Sequence, residues 1–122
     1  MWLFTRHGFY SLTRSNDEPD KLQVRARVRR DLENLQSFTG LTGTILETPA
    51  ADYRWRWIVT PADAETITRC LTDDITYSNF KSTVARQPDQ APKLTGLHDI
   101  WTIHLGWQTK PKLPSNSRPP GE

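Results

Sequence analysis

The chain has 122 residues, 35% of them apolar, and its 16 Lys plus Arg against 14 Asp plus Glu leave a formal charge of only +2. That length suits one domain with one modest core, and the near-balance of charge excludes the strongly basic composition of a typical nucleic-acid coat. A single cysteine, Cys70, excludes an intrachain disulfide; no apolar run has the length of a membrane span. The opening MWLFTRHGFY lacks a basic region followed by a long apolar stretch, so the expectation is a cytoplasmic protein without a signal peptide.

Taken in chain order, residues Trp2 to Thr13 are aromatic and β-branched with polar interruptions, which predicts a strand. Gly8 interrupts it and marks a bulge or a close backbone approach. The polar run Ser15 to Asp20 is a loop by composition. Residues Lys21 to Val28 then alternate, with Leu22, Val24, Ala26 and Val28 on one face and Gln23, Arg25 and Arg27 on the other, the pattern of a half-buried strand. The loop between these two strands makes them a hairpin.

A helix is expected from about Arg30 to Phe38, where Leu32, Leu35 and Phe38 recur at intervals of three. Gly40 is its natural stop. Residues Gly43 to Thr48 form a third strand, Pro49 to Asp52 a turn, and Tyr53 to Thr60 a fourth strand. In that fourth strand Tyr53, Trp55, Trp57 and Val59 share one face, and Arg54, Arg56 and Ile58 share the other. Thr60, Pro61 and Asp63 then start a helix: a capping hydroxyl, a proline suited to the first position, and a carboxylate at the positive end. Ala64, Ile67, Thr68, Leu71 and Ile75 continue it at helical spacing.

Tyr77 to Arg86 reads as another short helix burying Tyr77, Phe80 and Val84, and Gln87 to Gly96 as a loop with two prolines. His98 to Gly106 is expected as a last helix, with Ile100, Trp101, His104 and Leu105 on one broad face. The segment from residue 108 to 122 is expected to be a disordered, proline-rich tail behind a single α+β domain of residues 1–107.

Two hairpins, each followed by helical residues, imply an α+β fold: a four-stranded antiparallel sheet with helices on one face. The architecture resembles the ferredoxin-like folds, with one strand displaced to the N-terminus. Architecture alone carries no function.

Function is approached through strand parity. If the apolar faces of Lys21–Val28 and Tyr53–Thr60 pack on the helices, Arg25, Arg27, Arg54 and Arg56 emerge together on the opposite face, because a one-residue slip would bury them at prohibitive cost. Arg6, His7 and Arg29 are expected close by, and His7 and Tyr10 would add stacking. A sheet face of arginines and aromatics suits single-stranded nucleic acid, or else an acidic protein surface, since arginine and tryptophan are enriched at protein contacts. The plain alternative is a solvated face whose arginines pair with Glu47 or other acids across the strands.

No motif for catalysis or metal binding stands out. His98 and His104 are six apart, not the three or four that place two ligands on one helix face. Ser11, Ser78 and Ser82 lack a nucleophile elbow. Gly40, Gly43 and Gly96 form no phosphate-cradling loop. The acids of the Asn16–Asp20 loop lack calcium-loop spacing, and Asp73-Asp74 reads as capping rather than as a catalytic pair. The expectation is therefore a binding module without cofactor or metal. Two other readings stay open: a small-molecule-binding dimer or enzyme with a pocket lined by Trp55, Trp57, Trp101 and Trp107, and a subunit of a larger assembly docked through the extended tail KPKLPSNSRPP.

The opening MWLFTRHGFYS, the Val24–Val28 run VRARV, the Tyr77–Lys81 block YSNFK and the His98–Trp101 block HDIW together resemble a family of small bacterial proteins. That family has no known function. The resemblance implies a bacterial origin and a compact cytoplasmic protein, and it brings no activity, cofactor or catalytic residue with it.

Overall fold

The computed structural model describes residues 1–108, and the expected tail lies outside them from residue 109 on. The described chain is α+β, with an open antiparallel sheet of five strands and four α-helices. The strands are β1 (Trp2–Phe4), β2 (Phe9–Arg14), β3 (Leu22–Ala26), β4 (Ile45–Glu47) and β5 (Trp55–Val59), in the order β1-β2-β3-β5-β4. The helices are α1 (Arg29–Thr39), α2 (Pro61–Asp73), α3 (Phe80–Ala85) and α4 (Leu94–Trp107), with a short 3-10 turn over Ala91–Lys93.

The sheet has five strands rather than four because the first expected strand folds back on itself. Thr5 closes the turn: its amide donates to the Gly8 carbonyl at 3.0 Å, and its hydroxyl accepts from the amides of His7 and Gly8. Gly8 is required by a close approach, since a Cβ there would lie 2.6 Å from Asp31 Cβ and from the Tyr10 hydroxyl. The Phe4 and Phe9 rings, paired across the turn, sit 4.8 Å apart. The second hairpin turn is set by Ser15, whose amide donates to the Lys21 carbonyl and whose hydroxyl accepts from the Glu18 amide. The acidic loop is thus a hairpin turn, with Lys21 paired to Glu18.

Helix ends follow the local chemistry. Gly40 leaves α1 at φ 76°, the left-handed conformation that glycine adopts without strain. The Thr60 hydroxyl accepts from the Asp63 amide and Pro61 opens α2; Asn79 caps α3 through the Ser82 amide. The last helix starts at Leu94, inside the expected loop and ahead of the expected start at His98. His104 stacks on Trp107, at 4.4 Å between ring centroids, and His98 on Trp101.

One face of the sheet carries the core. Tyr10, Leu12, Val24, Ala26, Trp57 and Val59 pack there against Leu32 and Leu35 of α1 and Ala64, Ile67 and Leu71 of α2. Two residues leave the faces that strand parity gives them. Val28 is exposed, as the residue preceding α1, and Tyr53 precedes β5 in a turn that swings its ring toward Arg25 and Arg27. Among the described residues no helix is long and apolar enough to cross a membrane.

Candidate functional site: an arginine row across the sheet

Antiparallel register aligns the residues of the face opposite the core. Trp2 pairs with Ser11, Ser11 with Arg25, Arg25 with Arg56, and Arg56 with Leu46, one continuous row across all five strands. Beside it runs a second row, Thr13, Gln23 and Ile58. Strand parity therefore places Arg25 and Arg56 directly opposite each other on a shared face.

Each guanidinium in the row is held by neutral groups. Arg25 Nη2 donates to the buried Ser11 hydroxyl at 2.8 Å, and its carbon lies 4.5 Å from the Tyr53 ring centroid. Its Nε–H is buried and has no hydrogen-bond partner among the described residues. Arg27 donates to the Asp52 carbonyl at 2.7 Å and stacks on the same Tyr53 ring at 4.2 Å. Arg56 donates to Gln23 Oε1 at 2.8 Å and to the Thr48 hydroxyl at 3.1 Å. Gln23 is itself buried and donates onward to Thr13. Among the described residues, Arg25, Arg27 and Arg56 form no ion pair, whereas Arg6, Arg29, Arg30 and Arg54 each have a carboxylate.

The other residues expected at this surface are placed elsewhere. Arg54 is exposed and turned to Glu47, 2.7 Å away, so the cross-strand pairing anticipated for the solvated alternative holds for this arginine. Arg6 and His7 both grip Asp74 at the end of α2, at 2.6 and 2.9 Å. Burial alone would raise the Asp74 carboxyl, but the hydrogen bonds from Arg6 and His7 outweigh it and hold the group below the usual carboxylate range. The same bond holds Arg6 above its ordinary value. His7 stacks on Phe38 at 4.1 Å, on its own molecule. Tyr10 lies on the core face, 3% exposed, with its hydroxyl donating to the Asp31 carbonyl; burial pushes its phenol far above the usual range. It cannot stack on a ligand at the arginine row. Arg29 pairs with Glu33 one helical turn on.

Residues missed in the sequence complete the site. Tyr53 is its aromatic platform, hidden because alternation assigned it to the core face when it lies outside the strand. Ser11, Gln23 and Thr48 supply the neutral partners, which only register reveals. Next to the row, Trp2, Phe4, Phe9, Tyr53 and Ile100 line an open groove of about 590 Å³, with Arg27 and Lys93 at its walls. The four tryptophans expected to line a pocket do not converge. Trp57 is buried in the core, Trp55 packs against it, and Trp101 and Trp107 stand exposed on α4. A smaller cleft of about 280 Å³, between β1 and the end of α2, is mainly apolar. Among the described residues no three His, Cys, Asp or Glu side chains gather as metal ligands would.

What the row offers is positive charge backed by hydroxyl and amide groups. Two like charges at directly opposed register positions repel, and an anion seated between them would relieve that. When compared with protein-family models, with curated proteins and with solved structures, the chain matches none. The functional reading therefore rests on this geometry.

Proposed function

We propose that the protein is a non-enzymatic binding module whose arginine row takes the phosphates of single-stranded nucleic acid. The observation that carries this reading is the pairing of Arg25 with Arg56 across β3 and β5, with Arg27 beside them and no carboxylate paired to any of the three among the described residues. The planar guanidinium fork matches phosphate oxygens two at a time. Aromatic rings stand within the same surface, Tyr53 under the guanidiniums and Trp2 at the end of the row, which suits stacked bases better than the carboxylates of an acidic protein.

The test is binding of a short fluorescent oligothymidylate to the full chain, followed by anisotropy over a range of salt. For single strands the slope of log affinity against log salt is about −0.7 per neutralised phosphate. Arg25→Gln with Arg56→Gln should weaken binding at least tenfold and flatten the slope by about 0.7 for each phosphate no longer neutralised, with an unchanged circular dichroism spectrum. Equal affinity in the double variant would end the proposal. Displacement by polyglutamate as effective as by unlabelled DNA would assign the row to an acidic protein instead.

The ferredoxin-like reading of the architecture belongs with this proposal. It is supported by the antiparallel order β2-β3-β5-β4, with α1 following β3 and α2 following β5. In that reading β2 is the displaced strand and β1 an addition at the edge.

A further inference from the structure

The second half of α4 is the part of the described molecule that its fold does not explain. Every residue from Trp101 to Trp107 is exposed, yet the segment from Ile100 to Trp107 carries no Asp, Glu, Lys or Arg. Trp101 is 52% exposed, Ile103 58% and Trp107 72%. At about 100° per residue, Ile103, Trp107, Ile100, Trp101 and Leu105 spread over an arc of about 200°, broken only by His104, with Thr102 and Gly106 on the remaining face. A helix packed on one neighbour needs an apolar stripe of only about 100°. This segment is built to be enclosed.

We propose that the chain forms a two-fold dimer in which residues 100–107 of each copy lie in the groove of the other, between the β1–β2 hairpin and the start of α4. The occupant is a second copy because this chain carries both halves of the contact. The groove of about 590 Å³ is lined by Trp2, Phe4, Phe9 and Tyr53, aromatic rings that match the apolar helix, with Arg27, Asp31 and Lys93 also in its lining. Gly96 stands in its lining with open space where a Cβ would be, so a partner's helix meets no side chain at that point.

A helix cannot fill the groove of its own molecule. Gly96 and Ile100 belong to the groove wall, and α4 runs unbroken from Leu94 to Trp107, carrying its tip away from them. The sequence of residues 109–122 has no apolar stripe to match the helix, since Leu113 is its single large apolar residue. Reciprocal insertion is an isologous contact, closed by its own symmetry. With large aromatics burying 150–250 Å² each, the exposed helix presents on the order of 400 Å². Giving one helix and receiving another brings each copy to about 800 Å², the share of a standard stable interface. Trp2, Tyr53 and Arg27 belong both to the groove and to the arginine surface, but Arg25 and Arg56 do not line the groove, so Arg25→Gln with Arg56→Gln should weaken nucleic-acid binding and leave association unchanged.

The experiment is sedimentation velocity on the full chain, with the thermal midpoint followed against concentration. The expected mass is twice 14.1 kDa, with a midpoint that rises with concentration. Ile103→Glu with Trp107→Glu should weaken association by about 30-fold or more, the scale of a hot spot removed. Both residues are exposed in the isolated chain, so its circular dichroism spectrum should not change. Trp2→Ala, on the groove side, should weaken association as well. A wild-type chain that stays monomeric at high concentration would overturn the proposal. So would a dimer indifferent to the helix double variant, or one abolished in that variant but intact in Trp2→Ala. A monomer that floats with phosphatidylcholine vesicles would assign the helix to a lipid surface and overturn it equally.

Discussion

Asp31 is the carboxylate on which the placement of α4 depends, and its replacement by alanine gives the sharpest test of the packing. The side chain is 2% exposed in the first turn of α1. Its oxygens accept from the Phe9 amide at 3.1 Å, from Gln90 Nε2 at 2.9 Å and from Lys93 Nζ. Its backbone carbonyl accepts from the Tyr10 hydroxyl. One residue thus ties α1 to β2 and to the turn that launches α4. Removing one partner of a buried, hydrogen-bonded ion pair costs about 3–5 kcal/mol. Two features favour the lower end. Lys93 is 21% exposed and regains water, and it keeps Gln90 Oε1 as an acceptor at 2.8 Å. The expected destabilisation is therefore about 3 kcal/mol, or roughly 12–24 °C in the melting midpoint at 4–8 °C per kcal/mol for a domain of this size. Thermal and urea denaturation would measure it. In a double-mutant cycle, Asp31→Asn with Lys93→Met should cost less than the sum of the single substitutions, with a coupling of about 1–3 kcal/mol. A melting point within about 2 °C of wild type for Asp31→Ala, under 1 kcal/mol on the same scale, or a coupling near zero, would refute this account of how α4 is held.

Gly8→Ala should cost about 1–3 kcal/mol by overpacking, because the added carbon would fall 2.6 Å from Asp31 and Tyr10; an unchanged urea midpoint would mean the turn relaxes freely. The Arg6–His7–Asp74 cluster predicts acid sensitivity. The Asp74 carboxyl is held below its ordinary value, so the folded chain binds fewer protons than the unfolded chain in that window. Its stabilising contribution is present above the usual aspartate pKa of about 3.9 and disappears as pH falls below it. Asp74→Asn should flatten the fall of the urea midpoint with pH below about 5, and an equally steep fall would assign the acid response to other carboxylates.

Much of the frame was legible in the residues themselves. Alternation along Leu22–Ala26 and Trp55–Val59 fixed which side chains face the core, because a slip of one residue would bury charge. Thr60-Pro61-Ala62-Asp63 and Gly40 marked helix ends through chemistry that acts within a single turn. Arg25 and Arg56 were legible as one face on the same grounds.

Contacts between residues far apart in the chain needed the fold. Gly8 announced an interruption, but only its meeting with Asp31 shows that the chain must fold back there and make five strands. Alternation puts Tyr53 on the core face, and Tyr10 is expected to stack beside the arginines; the fold reverses both. Tyr53 lies in a turn outside the pleat, and Tyr10 stands on the other side of the sheet from Arg25. That Arg6 and His7 serve Asp74, 68 and 67 positions away, follows from where α2 ends against the first turn. Local sequence sets dihedral preference and facing; which faces then meet is decided by closing the sheet on its helices.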